Sequence, residues 1–161
     1  MRHLLVVYHS RSGGTAAMAS SVLSGATHPD IASFPDMDRV TVRDRRAPDA
    51  GPDDVRWAEA VIIGTPENFG SVSGLVKDFL ERIYHPCLSE TRGMPYGLFV
   101  RAGNDGLGAV SAVQRILTGL AWREARPPVI ARGDALTEAD LDACFELGAT
   151  MAASLAVGLS G

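Results

Sequence analysis

The sequence predicts an α/β protein of the doubly wound class, with a parallel sheet covered by helices on both faces. Three observations predict it. Short, uninterrupted apolar runs recur, as in "LLVVY" (4–8), "AVIIG" (60–64) and "YGLFV" (96–100), the composition of strands buried on both faces. Stretches with apolar residues at helical spacing alternate with them. No repeat, low-complexity tract or linker interrupts the alternation, so residues 1–161 read as one domain.

The elements follow in order. The run Leu4 to Tyr8 leads through "HSRSGGT" (9–15) into an alanine-rich segment that reads as a helix starting near Gly14. Residues 26–38 and 44–54 are rich in Pro and Asp and read as loops with at most a short helix. Val40 to Arg43 alternates in polarity, and Pro127 to Gly133 carries prolines; both patterns suit edge strands. In "GLVKDFLERIY", Leu75, Val76, Phe79, Leu80 and Ile83 share one helical face, opposite Lys77, Asp78, Glu81 and Arg82. Val110, Val113, Ile116, Leu117 and Leu120 repeat that pattern. A last helix opens at Thr137, where Asp140 resembles the far side of a capping box. It is expected to bury Leu141, Cys144, Phe145, Met151 and Leu155.

Composition narrows the function. The chain is 46% hydrophobic and 21% charged with a net charge of −4, which argues against nucleic acid and anionic membrane surfaces as partners. No apolar stretch approaches the roughly 20 residues of a membrane span. The apolar run after Met1 is too short for a secretory signal and no small-residue cleavage site follows. Cys87 and Cys144 show neither metal-ligand spacing nor a disulfide framework. The expected setting is the reducing cytoplasm, and no metal is expected.

Right-handed crossovers bring every strand-to-helix loop of such a fold to one sheet edge, and ligands bind there, where strand order reverses. The loops at 9–15, 65–74 and 101–108 therefore converge. In the first, Ser10, Ser12 and Thr15 offer hydroxyls, Gly13 and Gly14 let backbone N–H groups turn inward, and Arg11 adds a cation. The following helix points its positive end at the same spot. The loop holds no carboxylate. This is the chemistry of a phosphate cradle, although an ordinary N-capped turn has a similar composition. The lysine of a Walker loop is missing, as are the glycine spacing of a dinucleotide fingerprint, the thiolate of a cysteine phosphatase and the acids of a response regulator. A monophosphate held without a metal remains.

The second loop, "GTPENFGSVSG" (64–74), combines rigid Pro66, permissive Gly70 and an aromatic Phe69, which suits a flat ring lying against backbone. Together with "HSRSGGT" and "FVRAGND" (99–105), it makes the chain similar to the flavodoxin-like family, specifically its short NAD(P)H-dependent FMN and quinone reductase branch. The resemblance spans essentially the whole chain. It implies a five-stranded sheet in the order 2-1-3-4-5, FMN as cofactor and NAD(P)H as a transient electron donor. Ser10, Arg11, Ser12, Gly13, Gly14 and Thr15 would hold the ribityl phosphate. Thr65, Pro66, Glu67, Asn68, Phe69 and Gly70 would line one side of the ring, and Ala102, Gly103, Asn104 and Gly106 would close the other. In the family, a peptide beside the flavin can turn on reduction, and Gly70 is the permissive residue available. No side chain is expected as a catalytic base, since the flavin carries the hydride chemistry. The implied partners are a quinone, flavin or similar small acceptor, or a redox partner protein. Reductases of this fold often complete the pocket with a neighbouring subunit, so a homo-oligomer is a further expectation.

The chain departs from dedicated electron carriers, many of which are strongly acidic and stack Trp or Tyr on the ring. Here the charge is mild, and Trp57 and Trp122 fall outside the three loops. That favours an oxidoreductase over an electron-transfer flavodoxin, with a flavin-binding redox-sensing module as a third reading. Several residues keep two readings. His9 touches phosphate or orients its loop. Glu67 and Asn68 meet the flavin edge or cap the next helix. Tyr84, His85 and Cys87 edge a substrate pocket or belong to a helix end stopped by Pro86. Asn104 and Asp105 read as turn residues, and Cys144 as core.

Overall fold

In the first strand, β1 (Arg2–Tyr8), successive side chains enter opposite cores. Leu5 and Val7 join one hydrophobic cluster, and Leu4 and Val6 the other. The computed structural model describes residues 1–33, 35 and 37–158. The chain continues through α1 (Gly14–Ala26), α2 (Pro29–Ala32), β2 (Val40–Arg46), a 3-10 turn (Ala47–Asp49), α3 (Pro52–Trp57) and β3 (Ala60–Asn68). It then forms β4 (Ser71–Val72), α4 (Gly74–Cys87), β5 (Pro95–Arg101), α5 (Leu107–Gly119), β6 (Arg123–Glu124), β7 (Val129–Ala131) and α6 (Glu138–Ala156). Parallel pairing gives the order β2-β1-β3-β5, with β6 and β7 both on the outer side of β5. This is the doubly wound topology expected. Pro127 and Pro128 divide the fifth position into two short strands, because proline supplies no N–H to the ladder. β4 adds an antiparallel hairpin at the end of β3, so the described residues form seven strands where five were expected.

The two helical layers divide the core. Val76, Phe79, Leu80 and Ile83 of α4 and Val110, Val113 and Leu117 of α5 pack on Leu5, Val7, Val61 and Ile63. On the other face Met18 and Val22 of α1 and Cys144, Leu147 and Met151 of α6 pack on Leu4, Val6, Ile62 and Phe99. α1 and α6 approach so closely that a Cβ at Gly25 would collide with the Phe145 carbonyl, and one at Gly148 with that of Val22.

Some expectations change. β2 does not stop at Arg43 but pairs with β1 as far as Arg46 opposite Tyr8. Its charged end is tolerated on an edge, where Asp54 neutralises Arg43 at 3.1 Å and Arg45 at 3.5 Å. Residues 52–57 are helical, begun by Pro52 at the first position and by Asp54, whose Oδ2 accepts the Gly51 amide at 3.0 Å. In the 26–38 segment α2 is the short helix allowed for, and residues 34 and 36 lie outside the described residues. Leu75 is exposed, since the buried stripe of α4 runs through 76, 79, 80, 83 and 87. Leu141 and Phe145 are only half-buried, because the ridge of α6 that faces the sheet is 144, 147, 148, 151 and 155. The capping box at Thr137 is present, with Thr137 Oγ1 accepting from Asp140 N at 3.1 Å and Asp140 Oδ2 from Thr137 N at 3.0 Å. No helix among the described residues is long and apolar enough to cross a membrane.

Candidate functional site

The parallel strands end level with one another, with Tyr8 opposite both Arg46 and Gly64, and Pro66 opposite Arg101. The chain leaves β1 for β2 on one side and β3 on the other, so the order reverses at β1. The loops after β1, β3 and β5 share that edge. The His9 amide donates to the Gly64 carbonyl at 3.2 Å and ties the first two together.

The first loop wraps the N-terminus of α1. Gly13 takes φ 95, in the left-handed region, and a Cβ there would meet nothing within 4 Å. Ser10 Oγ accepts from Gly13 N at 3.2 Å and Ala16 N at 3.1 Å, which shapes the turn from within. Among the described residues, the amides of Arg11, Ser12, Gly14 and Thr15 have no protein acceptor. The first turn of α1 carries no acid. Arg11 and Ser12 are exposed, and Thr15 is buried at 2% exposure. His9 Nδ1 is buried without a hydrogen-bond partner. Burial first, then the charges of Arg46 and Arg11, hold the His9 ring below its ordinary pKa. Arg46 itself lies over the Tyr8 ring at 4.8 Å.

The second loop is a hairpin rather than an open loop. Glu67 pairs with Val72 and Asn68 with Ser71, leaving Phe69 (φ 51) and Gly70 (φ 72) as a two-residue turn with both φ positive. That is the backbone of a type I′ turn. Phe69 is fully exposed at its tip, and Leu75 and Leu107 are the exposed apolar side chains that begin the neighbouring helices. The Gly70 carbonyl packs where a Cβ of Gly108 would be, which seats the hairpin on α5. Thr65 is fully buried; its hydroxyl donates to the Pro66 carbonyl at 2.8 Å and accepts from Ser73 N at 3.1 Å. Its side chain therefore holds the hairpin, and what it offers a ligand is backbone.

Glu67 neither caps α4 nor stands free. Ser73 caps that helix by accepting from Val76 N at 3.3 Å. The Glu67 carboxylate instead accepts from Asn104 N at 2.6 Å and Gly106 N at 2.8 Å, fastening the second loop to the third. Gly103, Asn104 and Asp105 are exposed, whereas Ala102 and Gly106 are buried. Asp105 caps the next turn through Leu107 N at 3.0 Å.

Tyr84, His85 and Cys87 end α4, which starts at the site edge and runs to the opposite one. They belong to the helix terminus, and the helix passes through Pro86 before it stops. Cys87 and Cys144 are buried, and burial pushes the Cys144 thiol up to about 12. Trp57 stacks on His3 with centroids 4.3 Å apart, and Trp122 donates to Thr91 Oγ1 at 2.9 Å; both are away from the three loops. A cavity of about 420 Å³ between Arg2, Glu59 and Arg92 also lies at that opposite edge. Sequence reasoning passed over Arg101, whose stem lies 3.1–3.2 Å from where a Cβ of Gly14 would be. The signal was a lone cation closing the apolar strand "YGLFVR" at the site edge.

Residues 43–136 match the family described as NADPH-dependent FMN reductase, more than half of the chain. The chain belongs to that family. A flavodoxin of Aquifex aeolicus is 32% identical over 120 residues, covering 74% of this chain and 60% of the relative. An NAD(P)H dehydrogenase (quinone) of Acidithiobacillus ferrooxidans is 33% identical over 94 residues, covering 51% of this chain and 47% of the relative. The chain thus spans between about half and three fifths of the length of these two relatives. A solved flavodoxin from the domain Archaea superposes with a TM-score of 0.76 at 21% identity, over 95% of this chain and 98% of that one, a likeness of fold.

The family's cofactor fits the residues present. The uncommitted amides at the N-terminus of α1, the open space at Gly13 and the absence of acid in the first turn suit a phosphate. The hairpin and the third loop supply two backbone walls at the same edge, with Phe69 beside them.

Proposed function

We propose that this chain is an FMN-dependent oxidoreductase of the cytoplasm that takes electrons from NAD(P)H and passes them to a quinone, flavin or similar small acceptor. The observation that carries the reading is the acid-free, amide-rich N-terminus of α1 at the same edge as a hairpin presenting an exposed aromatic. Bound FMN supplies the hydride chemistry, accepting from one partner and donating to the next. The chain's own residues bind and orient. Ser10, Arg11, Ser12, Gly13, Gly14 and Thr15 hold the phosphate, with Ser10 and Gly13 shaping the turn and the amides of Arg11, Ser12, Gly14 and Thr15 turned to the anion. Thr65, Pro66, Glu67, Asn68, Phe69 and Gly70 form one wall of the ring site. Ala102, Gly103, Asn104 and Gly106 form the other, set at its distance by the Glu67 carboxylate. The apolar rim of Phe69, Leu75 and Leu107 suits a second copy of the chain closing over the site. The family match and the quinone-reducing relative support this reading.

A flavodoxin-type electron carrier is the second reading, favoured by the 32% identity to a flavodoxin. Anaerobic absorbance titration of FMN-loaded protein with NADPH, then NADH, separates the two. Rapid bleaching of the flavin band in one step supports the oxidoreductase. A flavin that neither nucleotide reduces, but dithionite does, overturns the donor assignment and leaves the carrier. Protein that takes up no FMN overturns the cofactor assignment.

A further inference from the structure

Arg101 stands where a cation is hard to explain by packing alone. It closes β5, and its side chain turns under the first residue of α1. A Cβ at Gly14 would lie 3.1 Å from its Cγ and 3.2 Å from its Cδ and Nε. Its Nη1 donates to the carbonyls of Ala131 at 2.9 Å and Ala102 at 3.2 Å, and its Nη2 to that of Gly133 at 2.9 Å. Three carbonyls satisfy donors without neutralising charge. Among the described residues no carboxylate pairs with it.

The helix above it makes this costly. A helix N-terminus carries a partial positive charge, and a cation placed there is unfavourable. No acid in the first turn of α1 relieves it, the loop before that helix carries a cation of its own in Arg11, and the His9 ring beside it is held below its ordinary pKa by burial and then by Arg46 and Arg11. Arg101 thus meets the positive end of α1 with no paired carboxylate among the described residues, an arrangement that an anion relieves. The bonds of Arg101 join the base of the third site loop at Ala102 to the edge at Ala131 and Gly133, and its stem packs against the cradle helix at Gly14.

We propose that Arg101 is the positioning residue of the phosphate end of the site, placing a fixed positive charge beneath the N-terminus of α1 and locking that helix start to the third site loop. This rests on the FMN reading and goes beyond it in assigning the phosphate selectivity to a residue outside the cradle loop.

FMN and riboflavin differ by the phosphate alone, so the ratio of their affinities isolates this role. Both dissociation constants are measured by flavin fluorescence at low and high salt for the wild-type chain, Arg101→Gln, Arg101→Lys and Gly14→Ala, with a ligand-free thermal melt for each. Removing the charge in Arg101→Gln is expected to weaken FMN about tenfold more than riboflavin and to flatten the salt dependence of FMN binding. Arg101→Lys keeps the charge but not the three-carbonyl fork, so it is expected to melt earlier while retaining most of the FMN preference. Gly14→Ala reaches the same contact from the other side. Its φ is ordinary, so alanine is allowed in the helix, and the added methyl displaces the Arg101 stem and lowers the FMN preference even if Arg101→Gln does not fold. Equal losses for FMN and riboflavin in Arg101→Gln, or an unchanged preference in Gly14→Ala, overturn the assignment while leaving FMN as cofactor. A wild-type chain that binds riboflavin as well as FMN, or neither, overturns the FMN reading together with it.

Discussion

The Glu67 carboxylate and the Gly106 amide meet at 2.8 Å across 39 positions of sequence. The other carboxylate oxygen takes the Asn104 amide at 2.6 Å. One side chain therefore sets the spacing between the two loops proposed to enclose the ring. A carboxylate accepts both amides, whereas an amide side chain turns its NH₂ toward one of them. Glu67→Gln is expected to cost about 1.5–3 kcal/mol, the worth of a hydrogen bond to a charged group. The loss should fall on FMN and riboflavin alike, because the ring site and not the phosphate is loosened. Urea unfolding and flavin titration of the variant check it; an unchanged affinity for both flavins would separate the clamp from the ring site.

Phe69 occupies a backbone conformation that favours Asn or Gly, with φ 51, and is fully exposed. A bulky residue in the left-handed region costs on the order of 1 kcal/mol, and no protein contact compensates at the tip of the hairpin. Phe69→Asn, a natural type I′ residue before Gly70, is expected to raise the stability of the ligand-free chain by about that amount. Flavin affinity should fall at the same time, by roughly twofold to tenfold for a lost aromatic contact of 0.5–1.5 kcal/mol. Opposite signs in a thermal melt and a flavin titration would mark Phe69 as placed for binding. Loss of both would make it a structural residue.

These two residues show what sequence reasoning reaches. The layers and the three converging loops were legible from period and punctuation, and the strand order followed from the family resemblance. The extension of β2 to Arg46 was not. Asp44, Arg45 and Arg46 read as loop by polarity, and their strand state depends on pairing with Val6, Val7 and Tyr8 and on neutralisation by Asp54. Helix α3 was missed although Gly51-Pro52-Asp53-Asp54 carries a helix-start pattern. Gly70 was legible as permissive backbone and Phe69 as an aromatic, but the pair not as a hairpin turn, because the pairing of Asn68 with Ser71 needs the seat that Gly108 gives it. Glu67 and Arg101 reach partners 30 or more positions away, Asn104 for the first and Ala131 and Gly133 for the second, which a local reading does not reach.

The cradle separates a shaping serine from binding hydroxyls. Ser10 Oγ is committed to two backbone amides, those of Gly13 and Ala16. Ser10→Ala is expected to lower the stability of the ligand-free chain by about 1 kcal/mol, as for loss of a helix cap. Ser12→Ala, at an exposed position, should leave the melt of the ligand-free chain nearly unchanged, whereas Thr15→Ala, at a buried one, should lower it by about 1 kcal/mol. Each should weaken FMN by about 1.5–3 kcal/mol, the worth of a hydrogen bond to a charged group, and leave riboflavin untouched. Equal effects on the two flavins would remove these hydroxyls from the phosphate.

His9 links the site to pH. Its ring is held below the ordinary value of 6.5, by burial first and then by Arg46 and Arg11. Between its folded pKa and 6.5 the unfolded chain binds more protons than the folded one, so stability from this group rises with pH through that window. It is fully present above 6.5 and is lost as pH falls toward the folded pKa. The ligand-free chain should therefore melt earlier at pH 5.5 than at pH 7.5, and His9→Gln should remove part of that difference. An anion in the cradle offsets the two arginines and moves the His9 pKa back upward, so inorganic phosphate should shrink the same difference in the wild-type chain. NMR titration of the His9 ring with and without phosphate reads this directly. An unmoved titration would mean that the anion is held beyond the reach of His9, with the exposed amides of Arg11 and Ser12 as its principal contacts.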